Sequence, residues 1–150
     1  MDNVERLAAI EGIKQLKARY FRCMDSKDWD GFAAQFSDDA VMDVSGDLGD
    51  DASGDAGIIR GGREISDFVR SAIDDVVTVH HGHMPEITLT SPTTASGIWA
   101  MEDMLRWPDG NSLGEMHGYG HYEETYEKRD ETWLITSLKL TRLRVDFTTD

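Results

Sequence analysis

Between Asn3 and about Met24 the chain contains Gly12 and no proline. Ile13, Leu16, Tyr20 and Cys23 recur at the spacing of one helix face, with Ala18, Phe21 and Asp25 beside them. The pattern predicts a long first helix. Asp25-Ser26-Lys27-Asp28 breaks it, and Ser26 or Asp28 can cap a second, short helix carrying Trp29, Phe32, Ala33 and Phe36. Ala40 to Val44 reads as a short strand. Residues 45–57, SGDLGDDASGDAG, offer almost nothing to bury and predict a solvated loop, a candidate lid. Its four aspartates lack the spacing and closing glutamate of a calcium loop. Gly61-Gly62-Arg63 then leads into a third helix with Ile65, Phe68, Val69 and Ile73 on one face.

After Asp75 the character changes. Residues 76–90, 94–107, 117–128 and 132–147 are rich in β-branched and aromatic side chains. Turn signals separate them at Ser91-Pro92-Thr93, Pro108-Asp109-Gly110-Asn111 and Arg129-Asp130-Glu131. Helices first and long strands after predict an α+β domain with the helices on one face of a curved antiparallel sheet. No repeat or linker divides residues 1–150, so one domain is expected.

Strand alternation sorts the side chains into faces. In 97–107 the odd positions Trp99, Met101, Asp103, Leu105 and Trp107 are the more apolar set, and they carry one acid. In 116–128 the even positions are Met116, Gly118, Gly120, Tyr122, Glu124 and Tyr126, and the odd ones include His117, Tyr119 and His121. In 133–146 the even positions are Leu134, Thr136, Leu138, Leu140, Arg142 and Arg144. The glycines at 118 and 120 predict open room on the apolar face, and helices across the mouth of such a sheet enclose a pocket.

Charge narrows the partners. Lys+Arg 15 against Asp+Glu 29 gives a net charge of −14, which disfavours nucleic acid and anionic membrane surfaces. No apolar run approaches the roughly 20 residues of a membrane span. The opening MDNVERLAAIEG lacks the basic and apolar regions of a signal peptide, so a cytoplasmic protein is expected. Cys23 is the lone cysteine and reads as a small buried hydrophobe.

Three groups could carry chemistry. Asp25 ends the apolar flank of the first helix and points either inward or to water. In His80-His81-Gly82-His83, His81 and His83 share a strand face and His80 points the other way. No cysteine lies near and further ligands would have to come from another strand, so no metal is expected. An inward histidine is a candidate general base, since imidazole titrates near neutrality. His117 and His121 with Tyr119 lie on the more polar face, where solvent or a subunit interface is the plainer reading. The residues alone therefore give an α+β domain with a pocket and an open question about an Asp–His pair.

Tyr20 to Phe32, YFRCMDSKDWDGF, resembles the first-helix motif of the scytalone dehydratases, whose YDSKDW run matches Met24–Trp29 at five of six positions. Thr78-Val79-His80, followed by Gly97, resembles the catalytic-histidine strand of those enzymes and of the hexachlorocyclohexane dehydrochlorinases. Residues 126–133, YEKRDETW, look like the shared late hairpin. Nearly the whole chain takes part, and it is identified as a SnoaL-like member of the nuclear transport factor 2-like superfamily. The resemblance implies a cone-shaped curved antiparallel sheet wrapped around three N-terminal helices, a cystatin-like α+β barrel. It implies a homo-oligomer, dimeric or trimeric. Asp25 and His80 match the family's Asp–His dyad, in which the histidine removes a proton and the aspartate fixes its tautomer, with no cofactor.

The chain also departs from that pattern. Two pocket tyrosines of scytalone dehydratase fall at Met24 and Val44, its second catalytic histidine near Leu105, and its Ser and Asn donors near Gly120 and Tyr122. Scytalone is therefore not the expected substrate. The electrophilic side would have to be rebuilt, with Tyr122, Asp103 and Arg142 as candidates, although each also reads as a packed aromatic, an ion-pair partner or an exposed strand end. Met24, Leu105 and Leu140 complete the expected substrate-binding set. The resemblance implies a cofactor-free, dehydratase-like lyase or an isomerase acting on a small, largely apolar cyclic ketone or alcohol. A non-catalytic small-molecule-binding protein is the alternative, because this fold hosts many functions.

Overall fold

A computed structural model describes residues 1–48 and 54–149. The loop expected over 45–57 lies partly outside them, at 49–53. Helix α1 (Asn3–Asp25) starts at Asp2, whose side chain accepts from the Glu5 amide while Glu5 reaches back to the Asp2 amide. It buries Ile13, Leu16, Lys17, Tyr20, Cys23 and Met24, one stripe at helical spacing. It stops because Lys27 turns left-handed at φ 63° and the Asp28 amide donates back to the Cys23 carbonyl at 2.8 Å. Asp28 then caps α2 (Trp29–Ala33) by accepting from Gly31 N–H at 3.0 Å. This tight corner leaves Asp25 at the helix end, where it meets the sheet.

Strands β1 (Phe36–Asp43), β2 (Ile58–Arg60), β3 (Val77–Ser91), β4 (Thr94–Arg106), β5 (Glu115–Arg129) and β6 (Thr132–Thr148) form one sheet in the order β2-β1-β6-β5-β4-β3. Helix α3 (Gly62–Ile73) follows β2, packs against β1, and contacts α2. Trp29 Nε1 donates to Asp74 at 2.7 Å and Ser66 Oγ to the Trp29 carbonyl at 3.0 Å, which ties α2 to α3. Cys23 is buried in the core, as its helical position predicts. No helix among the described residues is long and apolar enough to cross a membrane.

Four details differ from the sequence reading. Phe36 belongs to β1 and not to α2, because it stays buried in either conformation and its burial does not distinguish them. Residues 58–60 form β2, too short for alternation to reveal. β1 runs parallel to β6, while the other pairings among the described residues are antiparallel. Register shifts in the β5–β6 pairing at Thr125/Tyr126 and Tyr119/Gly120 move the inward set of β6. Trp133 and Ile135 are buried ahead of the first shift, Leu138 and Leu140 between them, and Arg144 lies outside beyond the second. Asp130 and Glu131 close the β5–β6 hairpin with φ of 49° and 64°, the primed two-residue turn that matches strand twist.

Candidate active site

Asp25 and His80 meet where the end of α1 touches β3. His80 Nδ1 lies 2.7 Å from Asp25 Oδ1, and the His80 backbone N–H donates to Asp25 Oδ2 at 2.9 Å. Thr78 Oγ1 donates to Asp25 Oδ1 at 2.9 Å and itself accepts from Lys27 Nζ at 3.1 Å. Burial alone would push the Asp25 carboxyl up. The hydrogen bonds from the His80 ring, its amide and Thr78 outweigh it, and the carboxyl is held below its ordinary value. In the tautomer whose Nδ1 proton is directed at Asp25, the ring nitrogen left to accept is Nε2 on the far side.

That far side opens into a cavity of about 580 Å³, within the range of small-molecule sites. His80 lines it with Tyr122, Asp103, Arg142, Met24, Leu105 and Leu140, so every substrate-binding candidate from the sequence reaches one space. Asp25 stands behind His80. The remaining wall is mostly apolar: Met42 and Val44 from β1 and its end, Phe68, Val69 and Ile73 from α3, and Met116, Val145 and Phe147 from the sheet. Phe21 stacks beside the His80 ring at 6.4 Å.

Asp103 and Arg142 form a forked pair, with Nη1–Oδ1 at 2.7 Å and Nη2–Oδ2 at 3.1 Å. Arg142 Nε also donates to Asp47 at 2.7 Å. Arg142 is therefore not an exposed strand end. The glycines at 118 and 120 do not leave open room for a ligand, as the sequence suggested. A Cβ at 118 would collide with Arg142 Nη1 and Asp103 Oδ1, and one at 120 with the Thr141 carbonyl at the bulge. The absent side chains accommodate the ion pair and a close backbone approach.

Sequence reasoning passed over a second polar cluster. Lys17 Nζ and Glu124 Oε2 pair at 2.6 Å with no side-chain exposure on either. Tyr126 OH donates to Glu124 at 2.7 Å and accepts from Trp99 Nε1 at 2.8 Å. The ammonium lies between the rings of Tyr20 and Tyr122, 3.6 Å and 3.8 Å from their centroids. Burial pushes both phenols up, so they remain hydroxyls, and both line the cavity. The signal was available: Lys17 lies on the buried stripe of α1, and Glu124 lies between Tyr122 and Tyr126 on the inward face of β5. The outward histidines behave as surface groups. His83 and His117 share Glu102 at 2.8 Å and 3.2 Å, and Tyr119 stacks on His117. Among the described residues no three ligands converge to hold a metal.

The SnoaL-like domain model matches residues 5–139 of this chain. The chain belongs to the SnoaL-like domain family. A protein of Gibberella zeae described as the probable cyclase FGR4 is 28% identical over 139 residues, covering 87% of this chain and 89% of that one. Among solved structures, a hexachlorocyclohexane dehydrochlorinase, LinA type 2, superposes with a TM-score of 0.83 at 19% identity, over 99% of this chain and 94% of that one. A Novosphingobium aromaticivorans protein provisionally assigned as a scytalone dehydratase gives 0.84 at 17% identity, over 99% and 93%. At such identities the structural likeness shows the fold, and this SnoaL-like domain shares its helices and curved sheet with both.

Proposed function

We propose that the protein is a cofactor-independent lyase of the dehydratase-like kind or an isomerase, acting on a small, largely apolar cyclic ketone or alcohol. His80 is the general base and Asp25 its positioning partner. The observation that carries this reading is the 2.7 Å contact from Nδ1 to Asp25 in a ring whose other nitrogen faces a largely apolar cavity. His80 Nε2 removes a proton beside the substrate carbonyl. Asp25 holds the ring upright and stabilises the imidazolium that forms. Tyr122 donates to the Tyr20 hydroxyl, and Tyr20 in turn supplies its proton to the oxygen that gains charge. The cyclase, dehydrochlorinase and dehydratase descriptions of the relatives support a small-molecule lyase- or isomerase-type role in general. A homo-oligomeric state belongs to the same proposal, and light scattering should return a dimer or trimer mass.

The test is deuterium incorporation next to the carbonyl of a cyclic ketone such as α-tetralone in heavy water, followed by NMR. Wild type should exchange the site, and His80→Ala should slow it by roughly 10²–10⁴. A variant within about tenfold of wild type excludes the general-base role. Tight ligand binding with no exchange, and with an affinity indifferent to Asp25→Asn, would instead establish the non-catalytic binding protein.

A further inference from the structure

The side of the cavity opposite Asp25 holds a second carboxylate. Asp103 Oδ2 lies 3.8 Å from His80 Nε2, too far for a direct hydrogen bond and close enough for one group to touch both. Asp103 is 4% exposed and lines the cavity. With the Nδ1 proton directed at Asp25, Nε2 accepts. A carboxylate forked onto a guanidinium also only accepts. Each Asp103 oxygen receives one Arg142 N–H, which leaves each an unused lone pair.

The electrostatics of the pair fit a neutral guest. Arg142 gives one N–H each from Nη1 and Nη2 to Asp103 and its Nε–H to Asp47, with Nη1 also 3.8 Å from Met101 Sδ, so two carboxylates compensate its single charge and leave no excess positive charge for an anionic ligand. The pair is held in place: Gly118, facing Asp103 across the β4–β5 ladder, has no Cβ to displace it.

We infer that Asp103 recognises a hydroxyl group of the substrate, one carried on the carbon whose proton His80 removes, so that the substrate class is an α-hydroxyketone whose hydroxyl is retained. The inference rests on the general-base reading of His80. A CH–OH unit places a C–H and an O–H on adjacent atoms, one for each acceptor. That hydroxyl sits on the carbon that loses its proton and not on its neighbour, so it is not placed to leave as water. The chemistry at this oxygen is therefore isomerisation or epimerisation rather than dehydration. His80 Nε2 takes the carbinol C–H proton, the C–H electron pair becomes the C=C bond, and the carbonyl π pair moves onto oxygen to give an enediolate. Return of the proton from Nε2 to the same carbon restores the ketol. Delivery to the former carbonyl carbon, with the hydroxyl proton passing to the enediolate oxygen, gives the isomeric ketol. No atom leaves and nothing is oxidised overall.

The test compares α-tetralone with its α-hydroxylated derivative in heavy water, each rate divided by the rate in imidazole buffer alone. Wild type should prefer the hydroxylated ketone by about tenfold or more, the worth of one hydrogen bond to a charged acceptor. In Asp103→Asn that ratio should fall towards one, whatever the absolute rates. A wild-type ratio near one overturns the inference and leaves the base reading intact. A ratio unchanged in Asp103→Asn overturns it too, and points to a role in stabilising the imidazolium. If wild type exchanges neither ketone, the base reading fails and the inference fails with it. The wild-type comparison needs no variant, so poor folding of Asp103→Asn does not obscure the answer.

Discussion

Asp25 is the residue on which the site turns, because it accepts from the His80 ring, the His80 amide and Thr78 at once. Thr78→Val removes one of these bonds and also leaves Lys27 Nζ without its hydroxyl partner. It should lower kcat by a few-fold to tenfold with KM little changed, and Thr78→Ser should restore it. The low Asp25 carboxyl has a stability consequence. The unfolded chain takes up that proton at about pH 4 while the folded chain still resists it. The contribution is therefore present above that pH and lost as the pH falls through and below it. Acid unfolding of Asp25→Asn should lack this component, and urea titrations between pH 3 and 6 measure it. The inward position of Asp25 was legible only through the motif around it, since a helix-terminal aspartate ordinarily faces water. Lys17 and Glu124 were not read as a pair because they lie 107 positions apart and only the folded register joins them.

At the scale of elements, turns and faces decide how the site is assembled. Glu131 is left-handed in the β5–β6 turn, and its carboxylate is exposed, so its ion pair with the half-buried Lys128 is worth little. Glu131→Gly should raise stability by about 0.5–1 kcal/mol, read as an increase in the denaturation midpoint. Gly118→Ala should do the opposite, since its methyl enters the space of the Arg142–Asp103 pair, and it should lower the melting temperature and activity together. The helices, the long strands and the inward faces of β4 and β5 were legible because burial follows alternation there. The faces of β6 were not fully legible. Two register shifts against β5 exchange its inward and outward sets, and no local sequence signal marks an extra residue in a strand. The short β2 and the parallel β1–β6 junction escaped for a related reason: both are decided by partners distant in sequence.

For the molecule as a whole, the buried cluster behind the cavity sets how stability responds to pH. Burial pushes the Lys17 ammonium down to about 8, against the raising effect of Glu124. Between that value and the ordinary lysine range near 10.5 the unfolded chain binds more protons than the folded one. Stability from this residue therefore rises with pH across that window. The phenols of Tyr20, Tyr122 and Tyr126 are raised by burial and act in the opposite sense, lowering stability once unfolded tyrosines ionise above about 10. Thermal melts should therefore show a rise from about pH 8 that the double variant Lys17→Met/Glu124→Leu lacks. Either single substitution should cost about 3–5 kcal/mol by leaving a buried charge alone, and the double variant should recover most of it. The fold as a whole was readable from element order and motif, because a long chain with strong periodicity admits few arrangements. The cavity's chemistry was only half readable, because its electrophilic wall depends on which distant side chains the sheet brings together.

The measurement closest to the central claim is the tautomer of His80, read from long-range nitrogen–proton correlations of its ring by NMR. In the neutral ring the proton should reside on Nδ1, with Nε2 bare towards the cavity, and Asp25→Asn should disturb that preference. A neutral ring carrying its proton on Nε2 would leave no base facing the substrate and would contradict the account.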